Sequence, residues 1–582
     1  MTKEEVAAVL DEIAILLEFK GENSFRCNAY RKGALAVLHL QGNLDEIVRS
    51  DKLRGVENIG DTLREKISVL VTTGRLPYYD ELKASIPEGL TLMLRLPGMG
   101  PKKIMALHQQ LGVTSLEDLK KACDEGKVAG LKGFGEKTQK KIVEGIQFID
   151  EVGNRVRIDQ ALPIGLSLLE QIREMPGVIR AELGGSLRRR RETAKDIDIL
   201  ASSKDPAPIM QAFVSLPVVK QVVAHGETKS SVVVQHFADG ERVILNADLR
   251  IVDDSQFPFA LAYFTGSKAH NIRMRARAQD RGLKLNEYEL ASDSRKVRCK
   301  DETDLFAALE LDFVPPEMRE DTGEIDLAAW DRGKSKHRVP QLIESSDIRG
   351  VFHNHTNSSD GKNTLEEMAL AAKELGLEYI GIADHSQSLT IANGLSPARV
   401  AAQHKEIDRL NKKLKGIQIL KGIEVDILDD GRLDFEDAVL ESFDYVVASV
   451  HTLFGQPAEV MTERIVRAVK HPSVTMLGHA TGRLLLKREG YKVELDRVLT
   501  AAAETGTMIE INAQPMRLDL DWIHCKRAKS LGIKLVINPD AHQTNELEYY
   551  RWGVDVARRA WLEKVDVFNT LSLSDVCREL EI

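Results

Sequence analysis

The spacing of apolar positions changes character twice along this chain. In MTKEEVAAVLDEIAILLEFK, residues 1–20, charged and apolar residues alternate at helical spacing and predict an amphipathic helix. Charge interrupts its apolar centre, unlike a secretory leader. Short helical patterns parted by Gly-containing turns run on to about residue 88. From about 160 the period shortens. After the helix IGLSLLEQIREM come VIRAELG, DIDILAS, VKQVVAHG, KSSVVVQHF and RVILNADLRIVD, rich in β-branched residues, which predict a mixed sheet with helices. Residues 320–347 are polar and turn-rich and are expected to form a linker. Beyond 350, apolar strand runs alternate with helical patterns, which predicts a barrel or a largely parallel sheet.

Two segments of the helical region look like copies of one unit: LPGMGPKKIMAL (96–107) and LKGFGEKTQKKI (131–142). Each places x-Gly-x-Gly before a lysine-rich helix, and GVENIGDTLREKI (55–67) is a more degenerate third copy. Glycines there permit a tight turn and leave backbone N–H groups free at a helix start, a phosphate-binding arrangement. The units resemble the helix-hairpin-helix motif, which holds a DNA backbone without reading sequence. That resemblance implies DNA-binding roles for Gly98, Gly100, Lys102, Gly133, Gly135 and Lys137.

Composition adjusts this picture. A chain of 582 residues suggests about three to five domains. The formal net charge of −9 excludes a protein coated in basic residues, but local patches such as SLRRRR (186–191) set the field in a cleft. Five cysteines without paired spacing fit a reducing compartment and argue against a cysteine-built zinc site. No run of 18 apolar residues exists, so no membrane span is expected.

The first candidate chemistry is in GGSLRRRRETAKDIDIL (184–200). Asp196 and Asp198 share one strand face, and Asp248 stands in a later strand, ILNADLRI. Carboxylates that close repel unless a cation lies between them. Three of them suit two magnesium or manganese ions serving phosphoryl transfer. Gly185, Ser186 and Arg189 lie just upstream, suited to phosphate oxygens. This signature, together with YFTGSKAHNIRMRARAQDRGLKLNEYEL (263–290), resembles the palm and thumb of family X DNA polymerases. The resemblance covers residues 1 to about 318 and implies Asp196, Asp198 and Asp248 as the metal triad, with Asp248 accepting the primer hydroxyl's proton. It further implies Ser186 and Arg189 on the incoming phosphates and Tyr263, Phe264 and Gly266 as a bend under the nucleotide sugar. Asn271 would reach the base edge and Arg275 the template strand. A phosphate-binding arginine common in the family is not evident around RIDQALPIG. SFRCNAYRKGALAV (24–37) resembles the family's small DNA-binding domain, where a lysine can act as a Schiff-base lyase. Lys66 matches that position and Arg26 and Tyr30 match supporting residues, whereas a helper lysine is replaced by Thr62.

The second candidate chemistry is histidine-rich: nine of the 15 histidines follow residue 350. VFHNHTNSSDG sets His353 and His355 on one strand face ahead of Asp360. His385, Glu424, His451, His479, Asp540 and His542 each end or closely follow an apolar run. Barrel strands gather their C-terminal ends at one mouth, so the set predicts a site for two or three ions, with Glu424 placed to bridge. Imidazole with carboxylate suits zinc or manganese. The set resembles the polymerase and histidinol phosphatase (PHP) domain, a distorted (β/α)7 barrel that hydrolyses phosphoesters; all nine ligand positions are filled here.

The expected architecture is therefore multidomain. A helical 5′-phosphate-binding, lyase-like domain spans 1–88 and helix-hairpin-helix fingers span 89–150. An α+β nucleotidyltransferase palm spans 151–260, a thumb 261–319, a linker 320–347 and a PHP barrel 348–582. The resemblance implies a DNA-directed DNA polymerase that fills short repair gaps, coupled to a 3′–5′ exonuclease that also serves as an abasic-site endonuclease. Its partners would be gapped or nicked duplex DNA and deoxynucleoside triphosphates, its form a monomer, and its place the cytoplasm, on the nucleoid. The rival expectations are a phosphoesterase using the barrel only and a DNA-binding module with a decayed polymerase core.

Overall fold

The computed structural model describes residues 1, 3–38, 40, 44–96, 98–238, 241–331 and 333–582. The chain divides into two compact units: Met1–Val156, Val214–Ala224 and Ser231–Ala247 form one, and Arg157–Phe213, His225–Ser230 and Asp248–Ile582 form the other.

In the first unit the opening amphipathic pattern becomes the helix Lys3–Phe19. It packs with Ser24–Leu38 and Asp61–Thr73 around Leu10, Ile13, Leu17, Tyr30 and Ile67. A second core gathers Leu90, Ile104, Leu107, Leu119, Ile142 and Ile146 from the helical hairpins. Ser115 starts the helix Leu116–Asp124 with a reciprocal capping box to Asp118, satisfying N–H groups that a helix start leaves over.

The palm is a five-stranded sheet in the order Arg180–Leu183, Asp196–Ser202, Glu241–Val252, Lys229–Ala238, Val219–His225. The first two strands pair antiparallel, with Leu183 opposite Ile199. Along Asp196–Ser202 burial alternates at first, so Ile197 enters the core while Asp196 and Asp198 face the other way. The thumb helices Phe257–Thr265 and Lys268–Gln279 pack on Leu305, Phe306 and Met318.

The segment 320–347 differs from the expected linker. It carries the helix Glu324–Ala328 and gives Ile325, Ala328 and Leu342 to the thumb core. Its polar residues are satisfied internally: Glu324 is fully buried and accepts from His270 and from the N–H groups of Asp321 and Thr322. Arg332 in this segment lies outside the described residues.

The last 230 or so residues build seven parallel strands in chain order from Gly350–Val351 to Leu535–Asn538. Their interior runs, such as YVVAS, are buried throughout, as parallel strands covered on both faces must be. The first strand meets the last: Phe352 N–H donates to Asn538 Oδ1 (3.1 Å) and His355 N–H to the Ala541 carbonyl (2.8 Å). The ring is thereby nearly closed. Phe352 fills its floor against Tyr379, Tyr445 and Phe568 at centroid distances of 5.3–5.5 Å. Truncating such a side chain to Ala costs about 3–5 kcal/mol. Among the described residues no helix is long and apolar enough to cross a membrane.

Candidate functional site

The helix-hairpin turns come first in the chain. Gly98 and Gly133 have φ of +74° and +91°, a region that disfavours other residues. A Cβ added at Gly98, Gly100, Gly133 or Gly135 would meet nothing within 4 Å, so these turns are open to a large partner. Pro97 of the first turn lies outside the described residues. Lys102 and Lys137 are exposed beside them.

Lys66, Arg26 and Tyr30 are drawn together by a residue that sequence reasoning missed, Tyr78. The Lys66 ammonium lies 3.2 Å from the Tyr78 ring centroid, and Arg26 donates to the Tyr78 hydroxyl at 3.4 Å. Burial and then the Arg26 charge lower the Lys66 pKa, which favours a free amine. Burial and Tyr78 push the Tyr30 phenol up to about 12.

In the palm, the turn before Asp196–Ser202 brings backbone against the Asp198 carboxylate. Gly185 has φ +55°, and a Cβ there would stand 2.1 Å from Asp198 Oδ2. Only glycine lets that carboxylate approach. Burial, then Asp196 and Asp248, raise the Asp198 pKa to about 6. Lys229 pairs with Asp248 at 2.7 Å. The ligand atoms of the three carboxylates do not all lie within 4.8 Å of one another. The Ser186 hydroxyl is buried without a hydrogen-bond partner, and the donor set is all oxygen; both fit a phosphate with hard divalent cations.

Other expected nucleotide contacts are engaged within the protein. Arg189 is 8% exposed, donating from Nε to Glu320 (3.0 Å) and from a terminal nitrogen to the Thr265 carbonyl (2.7 Å). Asn271 donates to the carbonyls of Tyr263 (2.7 Å) and Gly266 (3.2 Å), tying down the bend. Tyr263 and Phe264 meet edge to face at 5.1 Å, and Arg275 is half-buried.

The barrel mouth gathers its nine candidates more tightly. Ligand atoms within 4.8 Å of one another form three groups: His355, Asp360, His385 and His542; His353, His355 and Asp540; His385, Glu424 and His451. His355 and His385 are each shared by two groups, which makes this a multi-metal arrangement. Glu424 stands at the centre, 2.8 Å from His385, 2.9 Å from His479 and 3.3 Å from both His353 and His451. His479 belongs to none of the three groups and joins through Glu424. His479 and Asp540 have φ of +22° and +51°, backbone strain held where these side chains are aimed.

Imidazoles and carboxylates hold one another's charge. Burial alone would lower the pKa of His385 and His451, but Glu424 outweighs it and they rise to about 10 and about 9. His542 rises to about 9 through Asp360 and Asp540, against burial. Burial, His542 and His385 instead push His355 down to about 3. Glu424 is held well below the ordinary range by its histidines, despite burial. His353 Nε2 and His355 Nδ1 are buried without hydrogen-bond partners, as ligand nitrogens would be.

Two further carboxylates orient the rings and were not foreseen. Glu510, fully buried, takes His353 Nδ1 at 2.6 Å, and Asp426 takes His451 Nδ1 at 2.8 Å. Their signal in the sequence was an acid inside an apolar strand, MIEIN, and a second acid two residues beyond Glu424.

Family models match four stretches of the chain. The helix-hairpin-helix domain matches residues 1–76, the SAM-like helix-hairpin-helix tandem 90–147, the DNA polymerase beta thumb 260–320 and the PHP domain 352–514. The DNA polymerase/3′-5′ exonuclease PolX of Bacillus subtilis (strain 168) is 38% identical over 578 residues, 99% of each chain. A probable phosphatase of Thermoanaerobacter sp. (strain X514) is 30% identical over 233 residues, 38% of this chain and 89% of its own. One of Clostridium acetobutylicum is 26% identical over 205 residues, 33% of this chain and 78% of its own. Full-length similarity to a polymerase, joined to the thumb, hairpin and PHP matches, places this chain in the family X DNA polymerases that carry a C-terminal PHP domain.

Proposed function

We propose that this DNA polymerase extends the 3′ end of a primer across short gaps in duplex DNA from the palm, and trims 3′ ends in the barrel. The observation that carries the reading is the coexistence, in one chain, of the palm triad beside the orphaned Ser186 hydroxyl and of three overlapping ligand groups in the barrel. Magnesium or manganese at Asp196, Asp198 and Asp248, and two or three manganese or zinc ions at the nine barrel positions, would supply Lewis-acid activation and charge neutralisation at phosphorus.

The chain's own groups do the rest. Asp248 takes the primer hydroxyl's proton once Lys229 has released it, and Ser186 donates to a triphosphate oxygen. The bend at Tyr263, Phe264 and Gly266 walls off the sugar C2′, Asn271 holds that bend and faces the base edge, and Arg275 holds the template. Gly98, Gly100, Lys102, Gly133, Gly135 and Lys137 grip the DNA backbone without sequence preference. In the barrel, Glu510 and Asp426 fix the rings of His353 and His451 so that ligand nitrogens point inward. The same centre is expected to cut at abasic sites, leaving a 3′-hydroxyl for the palm. The enzyme acts as a cytoplasmic, nucleoid-associated monomer on gapped or nicked DNA.

The test uses labelled primer on gapped duplex with a 5′-phosphate, with manganese, with and without deoxynucleotides. Lengthening with nucleotides and shortening without them is expected; shortening alone would leave the barrel as the working site and overturn the polymerase half. The Lys66, Arg26, Tyr30 and Tyr78 cluster favours a second activity, 5′-deoxyribose-phosphate lyase. Borohydride trapping of a covalent adduct, lost in Lys66→Ala, checks it.

A further inference from the structure

Several barrel side chains face the segment around the Gly185–Arg189 turn, and Arg559 is more buried than Arg483 or Asp555. Arg559 ends the helix Tyr550–Arg559, and its side chain is 1% exposed. Its guanidinium donates to Glu192 Oε2 at 2.6 Å and to Glu320 Oε1 at 3.1 Å. Glu192 directly follows the arginine run 188–191, which begins within the Gly185–Arg189 turn, and lies four residues before Asp196. Glu320 Oε1 is the same oxygen that Arg189 Nε occupies. Two guanidiniums therefore share one largely buried carboxylate oxygen. Arg483, also from the barrel, stands 3.9 Å from Glu192, and Asp555 faces Arg190 at 3.7 Å. Arg559 is anchored on its own domain, with its guanidinium carbon 4.9 Å from the Trp522 ring centroid.

This arrangement resolves a conflict at Arg189. A phosphate-binding arginine must leave its resting partner when nucleotide arrives. If Glu320 had no other cation, that departure would strand a buried carboxylate, which is strongly unfavourable. We propose that Arg559 is a positioning residue for nucleotide addition: it stays on Glu192 and Glu320 and so frees Arg189 to move onto the incoming triphosphate. The inference rests on the reading of Gly185–Arg189 as the phosphate-binding turn.

The experiment measures single-nucleotide addition on gapped duplex across a series of deoxynucleotide concentrations, alongside 3′ trimming and thermal unfolding. Arg559→Met is expected to raise KM for the nucleotide about tenfold, with a smaller change in kcat and with trimming unaltered. The double variant Arg559→Met/Glu320→Gln removes the stranded carboxylate and returns KM toward the wild-type value; lost packing alone would not be repaired that way. Arg559→Lys, which keeps the charge but not the fork, is expected to raise KM about threefold, and it carries the test should Arg559→Met not fold. A wild-type KM in the folded variants, or extension and trimming falling together, would overturn the proposal. Failure of the wild-type protein to extend at all would instead overturn the polymerase reading and this inference with it.

Discussion

The palm and the barrel solve the same problem, holding several acids near phosphate chemistry, with opposite charge balances. The palm triad contains only carboxylates. Burial, and then repulsion from Asp196 and Asp248, raise the Asp198 pKa to about 6, and a lysine, Lys229, sits on Asp248. The barrel interleaves imidazoles with acids, so Glu424 is held as a carboxylate while His385 and His451 rise to about 10 and about 9. An all-acid set needs cations to balance its charge, whereas a mixed set can be balanced by protons that cations would have to replace. Preorganisation follows the same division. Six of the nine barrel candidates are buried, with the further carboxylates Glu510 and Asp426 behind His353 and His451, whereas the palm acids line a half-exposed face.

Separate sites should fail separately, and that is the largest effect expected. Asp198→Ala should cut primer extension on the order of 10³-fold and leave trimming intact, and His355→Ala should do the reverse. Parallel assays on one gapped substrate, with circular dichroism for folding, check it; loss of both activities in a folded single variant would break the comparison. A smaller effect is expected from the carboxylates behind the ligands. Glu510→Gln should weaken trimming or barrel metal affinity about 10–100-fold through the His353 ring, with extension unchanged. Chelator competition on the purified variant measures it.

The charge balance also fixes the sign of the pH dependence. Metal at the palm must displace a proton from Asp198 only below about pH 6, so palm affinity should be flat near neutrality and fall as pH drops below that value. His385, His451 and His542 hold protons up to about 10, about 9 and about 9, so barrel affinity should already fall as pH is lowered from that range, about tenfold per unit per displaced proton. Titration calorimetry in two buffers of different ionisation enthalpy should show proton release near neutrality for the barrel alone. Asp198→Ala and His355→Ala isolate the two sites.

Much of this was legible in the chain because the candidate acids and histidines interrupt apolar runs, where solvation cannot explain them. The DxD of DIDIL and the histidines ending YVVASV and following YIGIAD are of this kind, and the repeated x-Gly-x-Gly turns announce themselves by backbone need. What escaped was pairing across the fold. Lys229 is an unremarked lysine at a strand start until it meets Asp248, and Tyr78 lies far in sequence from Arg26. Segment 320–347 misleads for a physical reason. A polar residue satisfied inside the protein, such as Glu324 with His270, has the same composition as one satisfied by water.

The smallest effect concerns sugar selection, and here the structure separates side chain from backbone. If the Tyr263 ring walls off C2′, Tyr263→Ala should admit ribonucleotides freely. The Tyr263 and Gly266 carbonyls, however, are both held by the Asn271 amide, which fixes the main chain of the bend whatever side chain stands at 263. Tyr263→Ala is therefore expected to relax the preference for deoxyribonucleotides only about threefold, whereas Asn271→Ala, which unlatches two carbonyls at once, should relax it more. The ratio of kcat/KM for ribo- and deoxyribonucleotide in each variant decides the matter. A larger effect at Tyr263 than at Asn271 would assign the wall to the ring and make the bend's hydrogen bonds a matter of stability alone.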